Sequence, residues 1–361
     1  MEKNEKIIYE IYRKQMKAHD FLGSTIEKIN YDVSFTLEEK KEKYDEIYLF
    51  GVKNTASVGK DIIKKLSAYN CIFNTIDKMS DGGRAVDAVI RNPVNGNMMT
   101  GSSSASAVNV LYGINDFAIA TDGGGSVLAP AFSLNLFSCL LKGIGYKSEN
   151  TKKSTDGIDF TAGTGIIAGN FKVLRNILNI LAENTEKSSK KIRAAIPGNI
   201  VGPDGIRQKD ILLEYLKDFE DLEISEYRFP DFRDRRESIE IMEKIFKEND
   251  VVATVEGPVD VYGTGDSVYG NFYDTADMQA KSGKYMVKIA NMLNCSSLGI
   301  PLDFSAKGIL LSVKEGMENF SVIVDMAEKI SEKISERKIF ENYFLKSYLR
   351  RKNEYFFRGG E

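Results

Sequence analysis

The chain alternates between short apolar runs and longer segments in which apolar residues recur at helical spacing. Apolar runs rich in β-favouring residues, such as EIYLFGV at 46–52, predict buried strands. The other strand candidates lie at 71–75, 87–92, 116–121, 192–197, 250–256 and 308–313. Helical spacing predicts helices at 2–19, 37–46, 59–69, 171–185, 281–293, 317–333 and 337–350, together with a charge-rich and mostly helical region at 207–249.

Strands that alternate with helices predict an α/β protein with a largely buried sheet. The polar segment 147–157 predicts a loop, and the Gly-, Asp- and Tyr-rich segment 257–275 predicts a longer loop that we expect to contact a ligand. Since no repeat or long linker divides the chain, we predict one α/β domain at 47–335, with a central mixed sheet flanked by helices. A helical segment at 1–46 is expected to pack on it, and a C-terminal helix with a basic, aromatic tail follows at 336–361.

Composition excludes several classes of protein. With 49 Lys+Arg against 52 Asp+Glu, the net charge of -3 gives no overall attraction to nucleic acid or to anionic membranes. No apolar run is long enough to span a bilayer, and the N-terminus lacks the pattern of a signal peptide, so we expect a cytoplasmic protein. The cysteines Cys71, Cys139 and Cys295 are too far apart in sequence to suggest a disulfide framework or a zinc site. We expect neither a metal nor an organic cofactor.

The single histidine restricts the chemistry. His19 lies in the polar segment EIYRKQMKAHD, which predicts an exposed helix. A Ser-His-Asp or Cys-His mechanism would have to use this residue. If the chain is a serine hydrolase, we therefore expect its base to be a residue other than histidine.

Two clusters of small residues, GSSSASA at 101–107 and DGGGS at 122–126, are candidates for a functional site. Such clusters often serve as flexible connectors. The second one, however, lies between the uncharged apolar stretches DFAIAT and VLAPAFSLNLF. Consecutive glycines also allow successive N–H groups to point at one anion. Neither a P-loop nor a GxGxxG fingerprint is present, so we expect an oxyanion site rather than a nucleotide site.

Three segments carry a resemblance to a known family. NPVNGNMMTGSSSASA at 92–107 resembles the signature segment of the amidase signature family, in which Asn-Pro leads to a Gly-Gly-Ser-Ser-Gly-Gly-Ser loop. ATDGGGSVLAPA at 120–131 resembles its Gly-Thr-Asp-x-Gly-Gly-Ser-Ile-Arg-x-Pro segment, and LFGVKNT at 49–55 resembles the strand that ends in Val-Lys-Asp-Asn. Ser102 and Ser126 are 24 residues apart, the interval between the two serines of the family.

The resemblance implies a mechanism that needs no histidine. Ser126 is the expected nucleophile, and Ser102, preceded by a cis peptide bond, is expected to connect it to Lys53. Lys53 can act as a base only when it is neutral, which requires burial. The backbone N–H groups of 123–126, meaning those of Gly123, Gly124, Gly125 and Ser126, are expected to form the oxyanion hole. Further expected contributors are the supporting residues Ser103, which would hydrogen-bond the lysine, and Asp122, and the substrate-contacting residues Met99, Thr100 and Gly101.

The chain also departs from the family pattern. Leu128 stands where an arginine normally follows the nucleophile, which leaves Asp122 in need of another partner. Asn54 replaces the aspartate after the lysine, and Ser104 and Ala105 replace two glycines of the first loop. The three catalytic positions are nevertheless intact, so we expect an active but divergent enzyme.

The expected activity is hydrolysis of a small-molecule carboxamide through an acyl-enzyme on Ser126. The sequence leaves three alternatives open. The same acyl-enzyme could pass its acyl group to an amine, the chain could be the amidase subunit of a glutamine-dependent transamidase, or it could be a binding protein that retains the fold. The sequence also leaves open the identity of the substrate and the oligomeric state, a homodimer included.

Overall fold

A mixed sheet of twelve strands lies at the centre of the protein, which this computed structural model describes over residues 3–182, 191–265 and 275–334. The strands of this sheet and of a separate two-stranded sheet are, in chain order, β1 (Ile26–Ile29), β2 (Tyr48–Lys53), β3 (Cys71–Asp77), β4 (Val86–Arg91), β5 (Met98–Thr100), β6 (Phe117–Asp122), β7 (Phe137–Leu140), β8 (Lys147–Lys153), β9 (Asp159–Ala168), β10 (Ile192–Pro197), β11 (Leu222–Tyr227), β12 (Val251–Glu256), β13 (Ser296–Pro301) and β14 (Gly308–Val313).

Helices cover the sheet. They are α1 (Lys3–Asp20), α2 (Val33–Lys40), α3 (Lys60–Ser67), α4 (Ser104–Leu111), α5 (Leu128–Ser133), α6 (Phe171–Leu181), α7 (Gln208–Leu216), α8 (Arg235–Glu248), α9 (Thr275–Ala280) and α10 (Met317–Lys333). Short 3-10 turns occur at Asp81–Gly83, Lys142–Ile144 and Met286–Lys288. In the described part of the chain, no helix is long and apolar enough to cross a bilayer.

The strand order brings the glycine loop and the lysine to one edge of the sheet. The order is β1-β3-β2-β6-β9-β7-β13-β14-β12-β10-β11, with β8 paired to β9, while β4 and β5 form the small sheet. The neighbouring strands β2 and β6 are parallel, so their carboxyl ends meet at the same edge. Since Lys53 ends β2 and Asp122 ends β6, the chain segments that follow these strands emerge side by side.

Apolar side chains on both faces of the sheet are covered by helices, because successive residues of a strand point to opposite faces. Ile119 of β6 belongs to the core formed with α3, α6, α7 and α10, whereas its neighbours Ala118 and Ala120 pack with α4 and α5. All six residues of β2 and of β6 are buried. These observations confirm the predicted fold class, an α/β protein with a central mixed sheet flanked by helices.

Two predicted elements were wrong. The segment predicted as a loop at 147–157 contains β8, whose residues are almost all exposed and therefore carry no apolar alternation; its pairing with β9 makes it a strand. The helix predicted at 281–293 is replaced by turns around Met286–Lys288. The reason is that the N–H groups of Tyr285 and Met286 donate to the buried Glu256 carboxylate, at 2.7 and 2.9 Å, rather than to a helical carbonyl.

Other elements were shifted or missed. The helix predicted at 37–46 lies at Val33–Lys40, and the strand predicted at 87–92 belongs to the small sheet rather than the central one. The region 207–249, predicted to be mostly helical, also contains the edge strand β11. Residues 266–274 of the predicted ligand loop, and the predicted C-terminal helix and tail at 336–361, lie outside the described residues.

Residues that precede β2 pack on the sheet through a small apolar cluster. Ile11 of α1 and Leu37 of α2 are buried against Leu49 and Ile72 of β2 and β3. The Lys14 ammonium forms an ion pair with Asp116, with an N–O distance of 2.5 Å. His19 is exposed near the end of α1, as predicted, so it lies on the surface and not among the buried groups.

Candidate active site

Lys53 is a buried amine at the end of β2. Its side chain is on average 3% exposed, and Nζ donates a hydrogen bond of 2.6 Å to Ser102 Oγ. Thr121 accepts two longer contacts of 3.5 Å from the same nitrogen, one at its carbonyl oxygen and one at Oγ1. None of these three acceptors is a carboxylate, so Nζ has no direct ion-pair partner among the described residues.

The environment of Lys53 favours the neutral amine. Burial is the main cause and lowers the pKa of Lys53 to about 7. The nearby Asp122 carboxylate raises this pKa, and the Lys152 ammonium lowers it by a smaller amount. At neutral pH, therefore, a large share of Lys53 is uncharged and able to accept a proton.

Ser102 lies in a tight turn between β5 and α4. Gly101 takes a φ of +79°, and its N–H donates to the Ala85 carbonyl at 2.6 Å. A Cβ at Gly101 would lie 2.6 Å from Pro130, so only glycine fits this close approach. The turn directs Ser102, which is 4% exposed, toward Lys53.

The cis peptide bond expected before Ser102 was wrong. Among the described residues, the cis bond is Gly257–Pro258. The positive φ of Gly101 already turns the chain enough for Ser102 Oγ to reach Lys53 Nζ, so the contact forms across a trans bond.

Asp122 holds the glycine loop by itself. Its carboxylate accepts hydrogen bonds from the N–H groups of Gly125 and Val127, both at 2.6 Å, and from that of Leu128 at 3.3 Å. The carboxylate is fully buried, and burial raises its pKa while these three N–H groups oppose that effect. Backbone donors therefore take the place of the arginine that Leu128 replaces.

The contact with Asp122 corrects the predicted oxyanion hole. Since the Gly125 N–H donates to Asp122, it is not free to bind an oxyanion. The N–H groups of Gly123, Gly124 and Ser126 donate to no group within the described residues. Gly124 is exposed and Gly123 and Ser126 are partly exposed, so these three donors are accessible to a ligand.

Ser126 follows the glycines and directly precedes Val127 and α5. The two serine loops touch, because a Cβ at Gly101 would lie 3.1 Å from the Ser126 carbonyl oxygen. In the described structure, Ser126 Oγ makes no hydrogen bond with Ser102 Oγ. The structure thus joins Lys53 to Ser102 and places the Ser126 loop against them, with the two serine hydroxyls still separate.

The supporting role predicted for Ser103 was wrong. Ser103 is fully buried at the start of α4, and its Oγ has no hydrogen-bond partner among the described residues. The hydroxyl that contacts Lys53 Nζ beside Ser102 is that of Thr121. The α4 backbone directs Ser103 away from the lysine.

The residues predicted to contact substrate before Ser102 face inward. Met99 is fully buried in the core cluster of α4 and α5. Thr100 is 1% exposed, and its Oγ1 accepts a hydrogen bond of 2.6 Å from Lys284 Nζ. Gly101 is also buried, and it is occupied in shaping the turn. Met99 and Thr100 therefore build the support of the site rather than its surface.

Sequence reasoning missed Asn291. Its Nδ2 donates to the carbonyls of Gly123, at 3.3 Å, and Thr161, at 3.0 Å, and its Oδ1 accepts from Gly163 N–H at 2.9 Å. The side chain is fully buried. It therefore fixes the Gly123 peptide from a position more than 160 residues away in sequence, for which local patterns contain no signal.

A buried ion pair supports the turn before Ser102. Lys284 Nζ, which donates to Thr100, lies 2.8 Å from Asp260 Oδ2, and both side chains are about 5% exposed. Asp260 in turn accepts from Gly265 N–H at 3.0 Å. The described part of the predicted ligand loop, 257–265, is thus anchored to the strand that leads into Ser102.

A cavity of about 640 Å³ has Lys53 in its wall together with 54–61 and 147–150. Neither of the two serines and none of the glycines at 123–125 lines it. It approaches the lysine from the side of β3 and β8, so it is not the space above Ser126.

Neither a metal nor a thiol takes part in this arrangement. The described residues contain no cluster of three or more His, Cys, Asp or Glu side chains placed to hold a metal ion. Cys71, Cys139 and Cys295 are free and buried, and burial raises the pKa of each thiol. The polar groups at the site are those of serine, lysine and the backbone.

The chain shares its fold with solved enzymes of amide chemistry. No protein-family model and no curated protein matches it. An amidase structure matches at 14% identity over 91% of this chain and 95% of that chain, with a TM-score of 0.60. The 6-aminohexanoate cyclic dimer hydrolase complexed with substrate matches at 11% identity over 92% and 94%, with a TM-score of 0.65.

A third match is a glutamyl-tRNA(Gln) amidotransferase from Thermotoga maritima, at 13% identity over 93% of this chain and 91% of that chain, with a TM-score of 0.56. At these identities the likeness establishes the fold. It covers nearly the whole length of each chain, so the shared architecture includes the sheet edge that carries Lys53 and the glycine loop.

Proposed function

We propose that this protein hydrolyses a small-molecule carboxamide through an acyl-enzyme on Ser126. The observation that carries the proposal is the buried Lys53 amine, bonded at 2.6 Å to Ser102 and placed against a loop with three free N–H donors. A serine hydroxyl needs a base to become a nucleophile, and Lys53 is the group at this edge whose environment favours the proton-accepting form. The solved enzymes that share the fold include an amidase and a cyclic amide hydrolase by name.

The acylation step follows from these positions. Ser126 Oγ attacks the amide carbonyl carbon while its proton passes to Ser102 Oγ, and the Ser102 proton passes to neutral Lys53 Nζ. The carbonyl oxygen becomes an oxyanion within reach of the N–H groups of 123, 124 and 126. This step requires the Ser126 side chain to rotate toward Ser102 when substrate binds.

Collapse of the intermediate breaks the carbon–nitrogen bond. The leaving nitrogen takes the proton back from Lys53 through Ser102, so an ester remains on Ser126 and the lysine is neutral again. Water then attacks the ester by the same proton route and releases the carboxylic acid. If an amine attacks in place of water, the same steps give acyl transfer.

Ammonia or amine release from a panel of simple amides tests the proposal. We expect turnover by the wild-type protein and a loss of at least about a thousandfold in Ser126→Ala, since removal of a nucleophile abolishes the covalent route. Adding hydroxylamine to the assay distinguishes hydrolysis from acyl transfer, because transfer yields a hydroxamate. A Ser126→Ala protein that retains wild-type turnover would exclude the proposed nucleophile.

A further inference from the structure

Arg235 lies over the glycine loop. A Cβ at Gly124 would be only 3.0 Å from Arg235 Nη1 and 3.4 Å from the Lys288 carbonyl oxygen. Gly124 is also one of the residues whose N–H is free to bind an oxyanion. The guanidinium is therefore adjacent to the place where the reacting carbonyl would bind.

Asp156 holds this guanidinium in a fixed orientation. Arg235 Nε donates to Asp156 Oδ2 at 2.6 Å, and Nη2 donates to Asp156 Oδ1. Arg235 is the first residue of α8, and the Asp234 side chain caps that helix by accepting from the N–H groups of Arg236 and Glu237. Nη1 donates to no group among the described residues, so its N–H groups remain available on the side of Gly124.

Further positive charge lies beside Arg235. Lys288 Nζ donates to the Phe232 carbonyl at 3.1 Å and forms no ion pair within the described residues. Burial lowers the pKa of Lys288 to about 8, and the neighbouring Lys284 and Arg235 lower it, while Glu256 and Asp260 raise it. An anion bound here would stabilise the charged form of Lys288.

The nearby carboxylates already have partners. Asp156 is paired with Arg235, and Asp260 is paired with Lys284. Glu256 accepts from the N–H groups of Tyr285 and Met286. The free donors next to the glycine loop thus suit an anion brought by a ligand.

We infer that Arg235 Nη1, with positive potential from Lys288, binds a carboxylate carried by the substrate. The inference rests on the proposed function, because it concerns the acyl part of the amide that Ser126 attacks. Guanidinium N–H groups match the geometry of a carboxylate, and a charge-assisted hydrogen bond of this kind is stronger than a neutral one.

The position of Arg235 also limits the length of the substrate. Gly124 contributes an N–H to the oxyanion site and its α-carbon lies next to Nη1. The carboxylate and the scissile carbonyl are therefore separated by only about two or three carbon–carbon bonds, each about 1.5 Å long. The substrate class is a half-amide of a short dicarboxylic acid.

Succinamate and succinamide provide a matched pair of probes. They have the same length, and succinamide carries an uncharged carboxamide in place of the carboxylate. We expect the wild-type protein to prefer succinamate by about 10- to 100-fold in kcat/KM. In Arg235→Gln, kcat/KM for succinamate is expected to fall by a similar factor, mainly through KM, and kcat/KM for succinamide by less than about threefold.

The control variant is Arg233→Gln. Arg233 is exposed two residues earlier, pairs only with Asp231 at 3.6 Å and does not face the glycine loop. We expect it to leave the preference for succinamate unchanged. Thermal unfolding of both variants verifies that each is folded.

The outcomes separate the subsite from the proposed function. An equal loss on both probes in Arg235→Gln would show that Arg235 only braces α8 against Asp156, and would overturn the subsite. A wild-type protein that hydrolyses succinamide but does not prefer succinamate would overturn the subsite and leave the amidase activity standing.

A binding experiment covers the case in which neither probe is turned over. Succinate should then slow the labelling of Ser126 by a fluorophosphonate in the wild-type protein, and it should not do so in Arg235→Gln. Equal protection, or no protection, in the two proteins would overturn the subsite.

Discussion

The neutral state of Lys53 makes a prediction about pH. Burial lowers the pKa of this lysine to about 7, and only the neutral amine can take the proton of Ser102. Activity should therefore be lost as pH falls through 7 and should reach a plateau above it. An exposed lysine, with its pKa near 10.5, would give no plateau in this range.

The size of the effect follows from the two pKa values. At pH 7 about half of Lys53 is neutral, whereas about one lysine in 3,000 is neutral when the pKa is 10.5. Between pH 6 and pH 8, the neutral fraction of Lys53 rises about tenfold, while that of an ordinary lysine rises about a hundredfold. The two cases therefore differ in slope as well as in the position of the plateau.

The assay is kcat/KM for a neutral amide between pH 5.5 and 9.5. We expect a single acid limb with an apparent pKa near 7. Lys152→Met should move this limb to higher pH, on the order of a few tenths of a pH unit, because the Lys152 ammonium lowers the pKa of Lys53. Lys153→Met, one residue further along the exposed strand β8, is the matched control and should not move it.

Two results would refute the reasoning. A profile that keeps rising with unit slope through pH 9 would mean that Lys53 titrates like a solvated lysine. A Lys53→Met variant that stays folded and keeps the same acid limb would mean that another group is the base.

Three further substitutions test the support of the site. Asp122→Asn should lower the free energy of unfolding by about 3 kcal/mol, measured in urea, because it removes the charge that accepts three backbone hydrogen bonds. Asn291→Ala should reduce kcat by at least about tenfold in the amide assay, since the Gly123 peptide loses its side-chain anchor; an unchanged kcat would show that the loop holds its shape alone. Ser103→Ala should change both stability and kcat very little, because it removes a buried hydroxyl that has no partner; a large loss of activity would restore its predicted contact with the lysine.

Local sequence patterns predicted the elements that carry the site. The apolar runs of β2 and β6 are buried on both faces, so their composition alone identifies them as strands. The resemblance to the amidase signature family then indicated Lys53 and Ser102, and the structure joins these two side chains by a hydrogen bond. Charge balance around Lys53 could not be read from sequence, because it depends on how deeply the chain buries the amine.

The features that sequence missed depend on distant contacts. Asn291 and Arg235 lie more than 100 positions after the glycine loop, and only the strand order brings them to it. The strand β8 is exposed, so its composition resembles that of a loop. The hydrogen bond from Gly125 to Asp122 likewise arises from the turn itself, and it removes a donor that the glycine pattern alone would assign to the oxyanion.

The most direct test of the central claim is the site at which a fluorophosphonate probe attaches, determined by mass spectrometry of the digested protein. The proposed nucleophile predicts a single phosphonylated residue, Ser126, with no labelling in Ser126→Ala and much slower labelling in Lys53→Met. Absence of a wild-type adduct, or equal labelling of Ser126→Ala, would contradict the account.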